Sequence, residues 1–156
     1  MDSSGEKALI QKLKWLYAKT KQSLCVFDVG ANKGQFLRLI ADGLQDTPFY
    51  IHAFEPGQHT YNTLSENTKT LSNAILNNFG LGKEKGMFEL FYNEAGSGLA
   101  SLSKRRLDHF GIDFKYSEQV KIETLDEYCS NQSVQNIDLL KLDVEGHELD
   151  VLQGGL

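Results

Sequence analysis

The sequence contains few cysteines and no long apolar run, and each shortage excludes a class of protein. Two cysteines, Cys25 and Cys129, are too few for a disulfide framework, which favours a reducing compartment. No stretch approaches the roughly 18 consecutive apolar residues of a membrane span, and the first residues show no basic segment followed by an apolar core. We therefore expect a soluble, cytoplasmic protein that does not associate with membranes.

Positive charge is also scarce. The formal net charge is −5, and the short run Lys104-Arg105-Arg106 is the one concentration of basic residues. A dominant nucleic-acid surface would need clustered positive charge, so no nucleic-acid partner is expected.

With 156 residues, of which 40% are hydrophobic, the chain is long enough to bury the core of a single domain.

The stretch from Leu24 to Gly34 has the pattern of a strand, a glycine turn and a helix. Its first four residues are all apolar, as in a parallel strand covered on both faces. Asp28, Gly30 and Gly34 then follow the spacing Asp-x-Gly-x-x-x-Gly, and we expect these glycines to let the backbone come close to a ligand. The next helix would present free N–H groups to that ligand. Dinucleotide enzymes use Gly-x-Gly-x-x-Gly instead, so a nicotinamide-dependent oxidoreductase is the less favoured alternative.

A second apolar segment, residues 49–55, ends in an acidic residue. That residue, Glu55, lies 21 residues after Gly34. In doubly wound folds an acidic residue at this offset accepts hydrogen bonds from ribose hydroxyls, because neighbouring strands end at the same crevice. A third strand is predicted at residues 74–79, and its end near Asn78 would face that crevice, where an adenine could rest. The pattern predicts one nucleotide-binding crevice.

The rest of the chain predicts helices packed on this sheet and one insertion. The fold class expected is α/β: a three-layer, Rossmann-like, mostly parallel sheet with an inserted hairpin between its third and fourth strands. Within a single domain, the expected parts are an N-terminal helix (1–23), a cofactor-binding half (24–82), an inserted hairpin or lid (83–119), and the fourth strand with its helix (120–156).

Three blocks of the sequence carry a family signature. They are DVGANKG at 28–34, FEP at 54–56 and LKLDVEGHE at 140–148, with weaker blocks at 78–82 and 124–127 between them. They resemble the signature blocks of the FkbM family of S-adenosylmethionine-dependent methyltransferases. The resemblance implies S-adenosylmethionine as cofactor and a sugar or other small natural-product hydroxyl as acceptor. It also places Ser101 near the active site. The full set of expected cofactor-binding residues is Asp28, Gly30, Ala31, Asn32, Gly34, Glu55, Pro56, Asn78 and Gly80.

Asp143 and Glu145 follow the fourth predicted core strand and are the candidate catalytic residues. A carboxylate beside the crevice can contact the donor's cationic end or take the proton of an acceptor hydroxyl. The alternative is that both cap the next helix and favour its dipole. His147 clusters with Asp143, Glu145 and Glu148, so a base or a metal ligand is one interpretation, but the favoured expectation is that it faces solvent from that helix. No Cys/His spacing indicates a zinc site, and no metal is expected.

The resemblance further implies additional strands after the helix that begins near Gly146, so the predicted sheet lacks its C-terminal part. The strand at 137–143 would then leave an unpaired edge, through which we expect copies to associate, as a homodimer or an aggregate, unless the inserted hairpin or the N-terminal helix covers it. An incomplete sheet also keeps open a non-catalytic nucleotide-binding or protein-interaction domain derived from the same fold.

Overall fold

A computed structural model describes residues 4–92, 100–101 and 116–155. Its helices are α1 (Ser4–Thr20), α2 (Gln35–Gly43), α3 (Gln58–Asn67), α4 (Leu125–Asn131) and α5 (Glu148–Gln153). Its strands are β1 (Leu24–Val29), β2 (Phe49–Phe54), β3 (Ala74–Asn77), β4 (Gly80–Leu81), β5 (Gly86–Tyr92), β6 (Ala100–Ser101), β7 (Tyr116–Glu123) and β8 (Leu139–Leu142). Among the described residues, no helix has the length and apolar character needed to cross a bilayer.

Four strands form a parallel sheet in the order β3-β2-β1-β8. β1 pairs in parallel with β2 on one side and with β8 on the other, and β2 pairs in parallel with β3. Because β1 is central, Val26, Phe27 and Val29 are fully buried, as the apolar run predicts. The predicted α/β fold with a mostly parallel sheet is confirmed, and its first and fourth core strands, β1 and β8, are neighbours.

Helices cover both faces of this sheet. On one face, Leu13 of α1, Leu37 of α2 and Leu64 of α3 pack with Val26 and Ile51. On the other face, apolar residues of α4 and α5 pack with the alternate strand residues; this cluster includes Phe27, Val29, Phe54, Leu125, Tyr128 and Val151. Alternation along the strands therefore sends successive side chains into two cores, which gives the three expected layers.

The insertion between the core strands forms a small second sheet and is more than a hairpin. Its strand order is β4-β7-β5-β6, with β5 antiparallel to both β7 and β6, and β4 parallel to β7. Leu90, Val120 and Ile122 form its own small core. Residues 93–99 and 102–115 of the expected lid, together with the side chain of Ser101, lie outside the described part of the chain.

A buried polar network crosses the core under α4. Nδ1 of His52 lies 2.7 Å from the hydroxyl of Tyr128, and that hydroxyl accepts a hydrogen bond from the Asn77 amide at 3.1 Å. Burial lowers the pKa of His52 below its ordinary value, so the ring is held neutral. One proton joins Nδ1 and the Tyr128 hydroxyl, so one phenol satisfies two buried side chains.

We expect Tyr128→Phe to lower the free energy of unfolding by roughly 1–3 kcal/mol, because His52 and Asn77 lose a buried partner. Denaturant unfolding followed by circular dichroism measures the change. Tyr50→Phe is the matched control, since Tyr50 is 54% exposed and its loss should stay within about 0.5 kcal/mol. Equal effects of the two substitutions would show that the network adds no stability.

Candidate functional site

The predicted site residues meet at one edge of the parallel sheet. All four strands end there, and hydrogen bonds join the segments that leave them. The N–H groups of Gly30 and Ala31 donate to the Phe54 carbonyl at 3.0 Å, and Asp143 N–H donates to the Val29 carbonyl at 2.9 Å. The ends of β1, β2 and β8 are therefore fixed relative to one another before any ligand binds.

Gly30 is required by the packing of the protein against itself. Its φ is +82°, and a Cβ at this position would overlap the backbone carbonyl oxygen of Asp143. The expectation that Gly30 is bare so that a ligand can approach is therefore incomplete, because the group facing its Cα is part of the loop after β8. Asn32 and Gly34 also have positive φ, at 54° and 94°, so the turn is left-handed at three positions.

Glu55 connects the turn after β1 with the segment after β2. Its Oε1 accepts from the Asn32 N–H at 3.1 Å and its Oε2 accepts from the Gly57 N–H at 2.9 Å. Burial raises the pKa of Glu55 to about 7, although both hydrogen bonds favour the ionised form. Asn78, oriented to satisfy its neighbours, donates to the carbonyls of Glu55 and Pro56 at 3.1 Å. The loop that carries this carboxylate is thus held from both sides.

Asp28 is fully buried, and its main partner is a residue that the sequence reasoning missed. Its Oδ1 forms an ion pair with Nζ of Lys141 at 3.2 Å, and neither Oδ1 nor Oδ2 accepts a hydrogen bond of good geometry from the described residues. Burial raises the pKa of Asp28, and the Lys141 ammonium opposes that rise. Lys141 also lies 3.8 Å from Oδ2 of Asp143 and over the ring of Phe36. The sequence signal that could have identified this partner is a lysine inside the apolar run of β8.

Asp143 and Glu145 are exposed at the end of β8. Neither caps the following helix, which begins at Glu148 with His147 as its N-cap residue and without a side-chain cap. The helix therefore starts later than predicted, and the capping alternative is wrong for both carboxylates. Glu145 has a φ of 45°, so the chain turns sharply between the strand and the helix.

Two other predicted positions, Ala31 and Gly80, contribute to packing. Ala31 is 2% exposed and belongs to the core on the α2 face. A Cβ at Gly80 would lie 2.8 Å from Cδ1 of Ile122, so this glycine allows close packing with β7. In the described parts of the chain, no group of three or more His, Cys, Asp or Glu side chains is arranged to hold a metal ion.

His147 does not face solvent as predicted. Its side chain is 17% exposed, its Nδ1 lies 3.1 Å from Oδ2 of Asp150, and its enclosed Nε2 has no hydrogen-bond partner among the described residues. Together with Asp150 it borders a pocket of about 370 Å³. The rest of the pocket is lined by Leu81, Gly82, Lys83, Glu84, Phe88 and Ile122.

The sequence model of the methyltransferase FkbM domain matches residues 28–156. The parallel sheet, its strand-end site and this match define a methyltransferase domain with a Rossmann-like α/β fold. The chain belongs to the FkbM methyltransferase family, as the three sequence blocks predicted. The structure of Methyltransferase FkbM from Methylobacillus flagellatus agrees in fold, with a TM-score of 0.55 and 16% identity, over 85% of this chain and 29% of that chain.

Three curated relatives show how much of such a protein this chain represents. Hexuronic acid methyltransferase AglP of Haloferax volcanii is 27% identical over 154 residues, which cover 98% of this chain and 57% of that protein. The 2-O-methyltransferase NoeI of Sinorhizobium fredii is 27% identical, with 83% and 56% covered. Methyltransferase sdnD of Sordaria araneosa is 32% identical, with 83% and 59% covered. The chain spans a little more than half of the length of these relatives.

We expect Gly30→Ala to lower the free energy of unfolding by more than about 2 kcal/mol, because it combines a left-handed backbone with overlap against Asp143. Gly86→Ala is the control, since a Cβ at Gly86 comes no closer than 3.5 Å to another side chain. Thermal unfolding of the two variants makes the comparison. A Gly30→Ala variant as stable as Gly86→Ala would contradict the close approach of the two loops.

Proposed function

We propose that this protein transfers a methyl group from S-adenosylmethionine to a hydroxyl of a sugar or another small molecule. Membership of the FkbM family supports methyl transfer, and two relatives are named as a hexuronic acid methyltransferase and a 2-O-methyltransferase. The observation that carries the proposal is the placement of Glu55. Its carboxylate stands at the end of β2 and is held by the N–H groups of Asn32 and Gly57 beside the glycine turn.

The side chains at this edge fit the donor. Each oxygen of Glu55 accepts one backbone hydrogen bond and keeps a second lone pair, which could accept from a ribose hydroxyl. Oδ2 of Asp28 is a buried acceptor without a partner among the described residues, and it suits a cationic or N–H-bearing group. The remaining proposed donor contacts are the backbone at Gly30, Ala31, Asn32 and Gly34, and the adenine side at Pro56, Asn78 and Gly80.

When bound, the donor supplies a methyl group on a positively charged sulfur. The protein must then hold the acceptor oxygen in line with that methyl group and receive its proton. Asp143 and Glu145 are exposed at the end of β8 and are not used as helix caps. We assign one carboxylate to the cationic end of the donor and the other to orienting the acceptor hydroxyl.

A non-catalytic nucleotide-binding domain is the second candidate, because the contacts that hold Glu55 at the sheet edge would suit ligand binding without any chemical step. Such a domain would bind S-adenosylhomocysteine without supporting turnover. A nicotinamide-dependent enzyme would instead bind NADH. Separate calorimetric titrations with the two ligands, followed by an assay with a sugar acceptor, distinguish the three functions.

We also propose that the protein works in the cytoplasm and pairs with a second copy of itself. Cys25 and Cys129 are free, and burial raises the pKa of Cys25 to about 11, so this thiol is unreactive.

Among the described strands, β8 pairs only with β1, which leaves its outer edge as a template for pairing. Leu149 and Leu152, on the helix that follows β8, are 64% and 46% exposed. Sedimentation over a range of concentrations tests the homodimer.

We expect Glu55→Gln to weaken the binding of S-adenosylhomocysteine by roughly 1.5–3 kcal/mol, the range for a hydrogen bond to a charged group. The unmodified protein should bind more tightly as the pH rises through about 7, where Glu55 ionises and becomes the better acceptor. The Gln variant should lose that pH dependence. Calorimetry at pH values on either side of 7 measures both effects. Glu66→Gln, at an exposed position on α3, is the control, and an unchanged affinity in folded Glu55→Gln would remove Glu55 from the site.

We expect Asp143→Asn and Glu145→Gln to reduce turnover with a sugar acceptor by about 10²-fold, because each variant loses a carboxylate that places the donor or the acceptor hydroxyl. Both side chains are exposed, so the melting temperature should not change. Asp42→Asn, at an exposed position on α2, provides the control. Normal turnover combined with a large loss of stability would assign these carboxylates a structural role only.

A further inference from the structure

The pocket beside α5 has the character of a small-molecule site. Its volume of about 370 Å³ falls within the range of roughly 300–1,000 Å³ for such sites, which are mostly apolar with a few polar groups. Leu81 and Ile122 are buried apolar residues of its lining, and Phe88 is 38% exposed, so the ring can still take a contact. A compact molecule with an apolar face and hydroxyl groups fits this lining.

His147 has the tautomer that leaves a free acceptor. The Asp150 carboxylate can only accept when it is ionised, so Nδ1 of His147 must carry the proton that joins them at 3.1 Å. In the neutral ring, Nε2 is then an acceptor with an unshared lone pair. That atom has no partner among the described residues, a costly arrangement, and it is covered by the protein, so the ring must turn slightly toward the pocket before a hydroxyl donor can reach it.

Both segments that form the pocket continue directly from the proposed donor site. On one side the chain runs from Asn78 and Gly80 into Leu81 and Gly82. On the other side it runs from Asp143 to His147, whose N–H donates to the Val144 carbonyl at 3.2 Å. The Val144 side chain in turn lies beside the Cα of Gly30, where an added Cβ would be 3.3 Å from its Cγ1. One hydrogen-bonded turn therefore separates the glycine loop from the imidazole.

We propose that this pocket holds the methyl acceptor and that His147, positioned by Asp150, takes the proton of the acceptor hydroxyl. The assignment rests on the proposed function. The acceptor oxygen forms its bond to the methyl carbon as the sulfur–methyl bond breaks, and the bonding electron pair stays on sulfur. The hydroxyl proton passes to Nε2, the resulting imidazolium is stabilised by the Asp150 carboxylate, and the proton then leaves to solvent.

Glu145 is the rival for this proton, and its surroundings differ. It is exposed, so water competes for its oxygens, whereas Nε2 of His147 is enclosed. The other charged groups that line the pocket, Lys83 and Glu84, have opposite signs, so the lining does not select an acidic over a neutral sugar. Methyl glucoside and methyl glucuronide are therefore both suitable probes.

The first test observes the imidazole directly. The histidine rings of the protein, labelled with ¹⁵N and saturated with S-adenosylhomocysteine, are followed by nuclear magnetic resonance as each methyl glycoside is added. His147 is assigned by its absence in His147→Gln and should show the Nδ1–H tautomer, with an Nε2 signal that moves saturably. His59, exposed on α3, should not respond. An Nε2–H tautomer, or no response of His147 to either glycoside, would overturn the proposal.

The second test separates His147 from Glu145 by turnover. His147→Gln should lower kcat by roughly 10²- to 10⁴-fold, the usual contribution of a general base, with unchanged affinity for S-adenosylhomocysteine. Asp150→Asn should shift the His147 tautomer and also lower kcat with unchanged affinity for S-adenosylhomocysteine, and a merely structural role would not lower kcat in this way. His59→Gln should have no effect. A normal kcat in His147→Gln alongside a collapse in Glu145→Gln would give the proton to Glu145.

The two proposals fail in different ways. If the unmodified protein does not bind S-adenosylhomocysteine in calorimetry, the donor assignment is wrong. The glycoside titration can still be performed without that ligand, so the pocket is tested in either case. If the donor analogue binds and the glycosides leave His147 unchanged, the donor site stands and the acceptor pocket is wrong.

Discussion

The contact between the Cα of Gly30 and the backbone of Asp143 determines how the site is assembled. A side chain at Gly30 would push β1 and β8 apart at their carboxyl ends, where the two strands otherwise pair in register. With glycine present, the turn after β1 lies directly against the loop after β8, and Glu55 is tied to that turn from β2 through Asn32. Three loops that are distant in sequence therefore form one rigid edge.

The same edge brings several ionisable groups into a small and partly dry volume. Asp28 is fully buried, and the pKa values of both Asp28 and Glu55 are raised because burial penalises their charged forms. Lys141 offsets part of that penalty for Asp28, since its ammonium lies 3.2 Å from Oδ1. A stable protein retains such costly groups mainly where they do chemical work, so their position at the strand ends supports a ligand site there.

The sequence predicted the elements whose signals are local. Apolar runs identified β1 and β2, and the spacing of Asp28, Gly30 and Gly34 located the turn between strand and helix. The residues that face each other on neighbouring strands could not be predicted from local patterns. Lys141 faces Asp28 because β8 pairs with β1 in one particular register, and no local pattern specifies that register. His147 was misjudged because the expected helix started too early, which placed the ring on a solvent-facing surface.

The pairing of β1 with β8 joins parts of the chain that are far apart, since Cys25 N–H donates to the Asp138 side chain across 113 residues. Closing so large a loop costs conformational entropy before the stabilising contacts between the strands can form. Folding of the central sheet should therefore be slow compared with helix formation. The crevice between these strands exists only once that closure is complete. A ligand bound there consequently recognises the finished topology, and its binding free energy is added to the stability of the whole sheet.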